Sequence, residues 1–139
     1  MMFLLDTNVL SELRRPERAD IGVVNWAAGA DPASLFVSSI SIFEIELGAA
    51  QAQRRDPAQG KVLRTWIDGR VMPTFHGRIL PVDTAVAQRC ALLHVPDRQP
   101  HGDSLIAATA LVHRLTIVTR NVRDFEPMGV AVFNPWRTS

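Results

Sequence analysis

Three acidic side chains stand past apolar runs of this chain, Asp6 after Met2-Phe3-Leu4-Leu5, Glu44 soon after Leu35-Phe36-Val37 and Asp124 after Leu115-Thr116-Ile117-Val118, and a fourth, Asp103, opens a helical run. Brought together, such carboxylates repel: two unit charges ~4 Å apart cost on the order of 4 kcal/mol at an effective dielectric near 20. A divalent cation relieves that repulsion. An all-oxygen donor set without cysteine or histidine spacing suits Mg²⁺ or Mn²⁺ rather than zinc. A hard cation held by few carboxylates keeps open positions, and hydrolysis of a phosphodiester is the reaction class that arrangement serves.

Each acid also has a plainer explanation. Asp6 or Asn8 suits the N-cap of the helix expected from Val9, Ser41 and Glu44 fit a capping box, and Asp103 in a first helical turn is favoured by the helix dipole. Glu46 lies two positions from Glu44, on another face of the same helix, and cannot share its pocket. The histidines His76, His94, His101 and His113 are scattered; His101, near Asp103, is a minor candidate for substrate contact. Cys90 falls on an apolar helical stripe and reads as inert core.

The elements that must position these groups follow from periodicity. The run before Asp6 lacks alternation, as expected of a strand buried on both faces. Ser34–Ser38, Arg78–Val82, Leu115–Thr119 and Val130–Phe133 are the other strand candidates. Helices are expected from Val9 to Leu13, from an Asp20 cap to Ala28, from Ser39 with Ile40, Phe43, Leu47 and Ala50 as its inward stripe, and from the Asp56-Pro57 turn towards Phe75. In that last stretch Gly69 and Pro73 are expected breaks. Two more follow: one capped by Asp83 carrying Val86 and Cys90, and one from Asp103 with Leu105, Ala108, Leu111 and Val112 inward. Alternating strands and helices predict a three-layer α/β/α fold around a mostly parallel sheet of four to five short strands. The carboxyl ends of those strands share one edge, where such sheets hold their ligands.

A chain of 139 residues is expected to form one domain. Hydrophobic residues make up 47% and charged residues 21%, which excludes a disordered polymer. No apolar run is long enough to span a membrane, no basic segment precedes an apolar signal core, and the single cysteine suits a reducing compartment, so a cytoplasmic protein is expected. A net charge of +1 neither demands nor forbids a nucleic-acid partner. The positive charge is almost all arginine, with Lys61 the one lysine. Arginine's planar fork suits phosphate, although a GC-rich genome gives the same bias. A phosphoacceptor receiver domain also gathers acids at strand ends, but it needs a lysine after a late strand, and Lys61 is in a helical region.

Three segments, FLLDTNVLSEL, SSISIFEIELG and above all HGDSLIAATALVHRLTIVTRNVRDF, make the chain similar to the PIN-domain ribonucleases. Within them it resembles the VapC-type toxins of type II toxin–antitoxin pairs, in the FitB-like branch. The resemblance implies Asp6, Glu44 and Asp103 as metal ligands for Mg²⁺ or Mn²⁺, with a fourth acid after the fourth strand. Here that position is Asn121 and the carboxylate is displaced to Asp124. Two roles for Asp124 stay open, a ligand or a turn cap, as do one-metal and two-metal arrangements. Thr7, Asn8, Thr119 and Asn121 become groups that hold the pocket or position phosphate, and Arg14, Arg15, Arg98, Arg120 and Arg123 become RNA-binding candidates. The family implies cleavage of structured RNA such as tRNA or rRNA, neutralisation by a VapB-like antitoxin, a homodimer, and operator DNA bound only through the antitoxin. A catalytically weak PIN-fold module that binds RNA or a partner is the alternative.

Overall fold

In the computed structural model, which describes residues 1–137, the first strand β1 (Phe3–Leu5) is the middle of a five-stranded sheet with every pairing parallel. Its side chains alternate between two cores. Leu4 packs with Ile106, Ala107, Ala110, Ile117 and Phe125 on one face, and Leu5 with Val9, Val23, Val37, Ile67 and Val118 on the other. Burial on both faces is why the run before Asp6 shows no polar alternation.

The chain continues through α1 (Thr7–Leu13), α2 (Ile21–Gly29), β2 (Leu35–Ser38), α3 (Ser39–Arg55) and α4 (Pro57–Trp66). A π-helical turn over Ile67–Val71 and the short α5 (Met72–Thr74) lead to β3 (Ile79–Leu80). Then come α6 (Thr84–Leu93), α7 (His101–His113), β4 (Thr116–Val118), α8 (Val122–Phe125) and β5 (Val132–Phe133). The strand order is β3-β2-β1-β4-β5. The chain therefore builds outward from β1 through β2 and β3, then crosses to the other side of β1 for β4. The crevice outside the carboxyl ends of β1 and β4 is the switch point at which open α/β sheets bind ligands.

Several local expectations are revised. On α3 the buried residues are Ser41, Ile45, Ala49 and Ala52, whereas Phe43 is 61% and Leu47 44% exposed, and Ala50 is exposed. The largest apolar residues do not mark the inward face, because α3 meets its neighbours through small side chains. A Cβ on Gly60 of α4 would lie 2.5 Å from the Cα of Gln53, so α4 approaches α3 at a distance only glycine permits. Helix α3 runs to an Asp56 cap whose carboxylate then accepts from Ala58 and Gln59. The breaks expected at Gly69 and Pro73 do not stop the helical path, which passes through the π-helical turn of Ile67–Val71 and ends at Thr74. Helix α7 begins at His101, two residues earlier than its sequence suggests, and is buried on two sides: Ile106, Ala107 and Ala110 face the sheet, while Ala108 meets Val86 and Cys90 of α6. The expected caps Asp20 and Asp83 are in place, each accepting from backbone N–H groups of its helix.

Candidate active site

Asp6 ends β1 and caps α1, so one side chain meets both explanations offered for it. Its Oδ1 accepts from the Thr7 N–H at 2.8 Å and its Oδ2 from the Thr119 hydroxyl at 2.8 Å. The backbone N–H of Asp6 donates to Val118 across the β1–β4 pairing, which fixes the carboxylate beside Thr119. Thr119 is saturated. Having given its proton to Asp6, its oxygen accepts from the Asn121 N–H at 2.9 Å and the Asn8 side-chain amide at 3.3 Å. An oxygen that is only accepting requires Nδ2, not Oδ1, of Asn8 to face it. The orientation of Asn8 is thus dictated, and its Oδ1 is left buried without a partner.

Glu44 reaches the same place from α3. The Thr7 hydroxyl donates to Glu44 Oε1 and lies 2.9 Å from Ser41 Oγ. With a single proton given to the carboxylate, Thr7 accepts from Ser41. The capping box between Ser41 and Glu44 is consequently not formed; Ser38 caps α3 instead, accepting from the Ile40 N–H. Asp103 enters in the first turn of α7, and the turn comes so close that a Cβ on Gly102 would lie 3.4 Å from Glu44 Oε2.

These groups line one cleft of about 510 Å³, together with Thr7, Asn8, Ser11, Glu12, Arg120, Asn121 and Trp136. Their electrostatics show the mutual repulsion. Burial, with only 6% of Asp6 exposed, is the main force lifting its carboxyl above the ordinary range. The bonds from Thr119 and Thr7 oppose that rise, and Glu44 and Asp124 add to it. The Asp103 carboxyl is pushed up to about 6, first by burial and then by Asp6, Asp124 and Glu44. No basic group offsets this by ion pairing with Asp6, Glu44 or Asp103 among the described residues.

Asp124 is near enough to act on both carboxyls, yet it lines an adjoining concavity with Arg120, Asn121, Val122, Arg123 and Asn134. Arg120 and Asn121 line both. Of the five arginines singled out in the sequence, Arg120 lines the cleft and Arg123 the adjoining concavity; Arg14, Arg15 and Arg98 line neither. His101 does not line the cleft and instead meets His94 edge to face, ring centroids 5.7 Å apart.

Sequence reasoning missed Ser11, Glu12 and Trp136. The first two were legible: Thr7 and Ser11, like Asn8 and Glu12, are four apart and share a helix face. Trp136 carries no local signal. It arrives because the C-terminal segment is tied to α2, with the Arg137 N–H donating to Asp20 at 2.9 Å. Gly22 allows the approach, since a Cβ there would lie 2.4 Å from the Pro135 carbonyl oxygen. The Arg120 guanidinium then lies 5.8 Å over the Trp136 ring.

The donor set fits a hard cation in kind: carboxylate oxygens, an amide oxygen without a partner, and Asp6 and Asp103 carboxyls raised first by burial and then by neighbouring acids. Among the described residues no three acidic, histidine or cysteine side chains close on a single ion position. An ion here would therefore keep much of its water, the habit of Mg²⁺.

A parallel sheet whose switch-point crevice collects carboxylates from three separate elements defines an acidic α/β nuclease-like domain, and the PIN-domain family model matches residues 3–129. The chain belongs to the PIN-domain family. It is 38% identical to Toxin FitB of Neisseria gonorrhoeae over 141 residues, covering 97% of this chain and 99% of that protein. It is 33% identical to VapC ribonuclease Y4jK of Sinorhizobium fredii, covering 97% and 98%. The crystal structure of FitAcB from Neisseria gonorrhoeae matches with a TM-score of 0.88 at 37% identity, over 98% of this chain and 99% of the other. A structure of FitAB bound to a DNA fragment also matches with a TM-score of 0.88, at 36% identity over 99% and 98%. Among the described residues no helix is long and apolar enough to cross a membrane.

Proposed function

We propose that the chain is an endoribonuclease of one PIN-like domain, residues 1–139, dependent on Mg²⁺ or Mn²⁺ and acting as the toxin of a VapBC-type toxin–antitoxin pair. The observation that carries the proposal is the convergence on one cleft of Asp6 at the end of β1, Glu44 from α3 and Asp103 from α7, where burial and neighbouring carboxylates lift the carboxyls of Asp6 and Asp103. The ribonuclease named among its relatives supplies the substrate class, and structured RNA such as tRNA or rRNA is the expected target.

Asp6, Glu44 and Asp103 would hold the cation, with Asp124 at the rim as the weakest contributor. The cation, when bound, supplies positive charge at phosphodiester oxygens where negative charge develops. The remaining work belongs to the protein. Thr119 and Thr7 fix Asp6 and Glu44 in position. Asn8 Oδ1, buried and open to accept, holds a water of the hydrated site, and Asn121 lies where it can orient a phosphate. Arg120 is the one basic side chain lining the cleft among the described residues, and its guanidinium on Trp136 receives an RNA phosphate beside the acidic floor.

The relatives solved as FitAcB and FitAB support an antitoxin partner, VapB-like, with operator DNA reached through that partner. A homodimer and a cytoplasmic location complete the proposal. The deciding experiment takes purified protein freed of antitoxin. RNA cleavage in Mg²⁺ or Mn²⁺ that stops in EDTA is the expected result. Cleavage undiminished by EDTA would refute the metal, and no cleavage of any RNA under metal saturation would leave the weak binding module as the better reading.

A further inference from the structure

Helix α7 carries Asp103 in its first turn, yet no side chain caps that turn, because Pro100 stands at the N-cap. The turn is held from behind by residues that the nuclease chemistry does not use. Ser104, with no exposed surface, donates its hydroxyl proton to the His101 carbonyl at 2.9 Å. Its oxygen lies 3.0 Å from His94 Nε2 and 3.5 Å from the Cys90 sulfur, both on or just beyond α6. The other imidazole nitrogen, Nδ1, faces the backbone N–H of Gln99 at 3.2 Å.

These contacts determine one proton arrangement. A backbone N–H can only donate, so Nδ1 of His94 accepts. In a neutral imidazole Nε2 then carries the hydrogen and donates to Ser104, whose own proton is already committed to His101. Every donor in the set has one acceptor. His94 thereby ties the loop before α7 to the first turn of α7. Asp103, the residue before Ser104, lies on the cleft side of that turn, where Gly102 closes on Glu44.

We propose that His94 is a positioning residue for the nuclease site, acting through Ser104 to fix the first turn of α7 and hence the place of Asp103 against Asp6 and Glu44. The proposal rests on Asp103 belonging to that site. Two near-isosteric variants separate the two halves of the latch. His94→Gln puts an amide N–H near the position of Nε2 and keeps the bond to Ser104; His94→Asn puts an acceptor near Nδ1 and keeps only the bond from Gln99.

The expected result is that His94→Asn lowers kcat for RNA cleavage by about tenfold or more with KM nearly unchanged, and weakens Mn²⁺ binding measured by calorimetry. His94→Gln should stay within about threefold of the wild type in both. Ser104→Ala should match His94→Asn, and the double variant should be no worse than either single one. If His94→Asn does not fold, Ser104→Ala carries the same test. Wild-type kcat and Mn²⁺ affinity in His94→Asn or Ser104→Ala would overturn the proposal. So would equal losses in His94→Gln and His94→Asn that track a shared fall in thermal stability. Asp103→Asn, assayed alongside, keeps the two readings apart: if it still cleaves, the site assignment fails, whereas an inactive Asp103→Asn beside a fully active His94→Asn removes the latch alone.

Discussion

Glu44 and Glu46 leave the same helix two residues apart and enter opposite environments. Glu46 lies half-exposed against α4 and pairs with Arg64 at 2.8 Å, and Arg64 also meets Asp68 at 3.3 Å. Glu44 faces Asp6 and Asp103 across the cleft and is held by a threonine hydroxyl. On the α3–α4 face, charge is neutralised by charge and solvent, an arrangement that contributes little to stability. In the cleft, like charges are gathered and steadied by hydrogen bonds from Thr7 and Thr119. A fold that keeps repelling carboxylates together, when it neutralises an acid two residues along the same helix, matches the proposed cation site better than a purely structural role.

Substitutions that exchange acid for amide break the comparison most sharply. Asp6→Asn and Asp103→Asn are expected to lower RNA cleavage by about a thousandfold or more, the scale of losing a preorganised electrostatic group. Glu46→Gln should leave it within about twofold, by the weak worth of an exposed pair. Steady-state cleavage of one RNA by the three variants checks this, and equal losses in Asp103→Asn and Glu46→Gln would erase the distinction.

Thr119→Val removes the hydroxyl that serves Asp6, Asn8 and Asn121 at once. Leaving buried donors unanswered should cost about 1–3 kcal/mol in denaturant unfolding. It also removes the strongest of the bonds that hold the Asp6 carboxyl down, so Asp6 should titrate at still higher pH, visible in a carboxyl-resolved NMR titration.

The stored repulsion should appear as a pH dependence in metal-free protein. The Asp103 carboxyl titrates near 6 when folded and near the ordinary carboxylate range when unfolded. Between those values the folded state holds the extra proton, so stability falls as pH rises from about 4 through about 6. At pH 7.5 Asp103→Asn should be more stable than the wild type by about 1 kcal/mol, discounted for partial exposure, and the gain should vanish near pH 4. Saturating Mn²⁺ should raise the wild-type Tm more than that of Asp103→Asn. The smallest effect belongs to the other region: Arg64→Ala should change stability by under about 1 kcal/mol and less at high salt.

Much of this was legible along the chain. Asp20 and Asp83 read as caps, Cys90 as core, and the strand before Asp6 as buried on both faces, because each depends on a few neighbouring residues. The inward face of α3 was misread because the sequence shows where apolar bulk recurs, not which neighbour a helix meets. Phe43 and Leu47 recur at helical spacing but face outward, while Ser41 and Ala49 sit where the packing is too close for large side chains. Glu12 shares a helix face with Asn8 and was open to the same reasoning as Glu44. Trp136 was not, since its place depends on a backbone contact with Asp20 more than a hundred residues away.

By itself the sequence determined the elements, the fold class and the three acids at strand or helix ends, since periodicity, caps and breakers act over one or two turns. Only the tertiary structure decided that Asp6, Glu44 and Asp103 share a cleft from which Asp124 is set aside, that Asn8 must present its oxygen, and that His94 stands behind Asp103. Those outcomes depend on strand order and on hydrogen-bond donors being matched to acceptors across distant segments, and no local pattern encodes either.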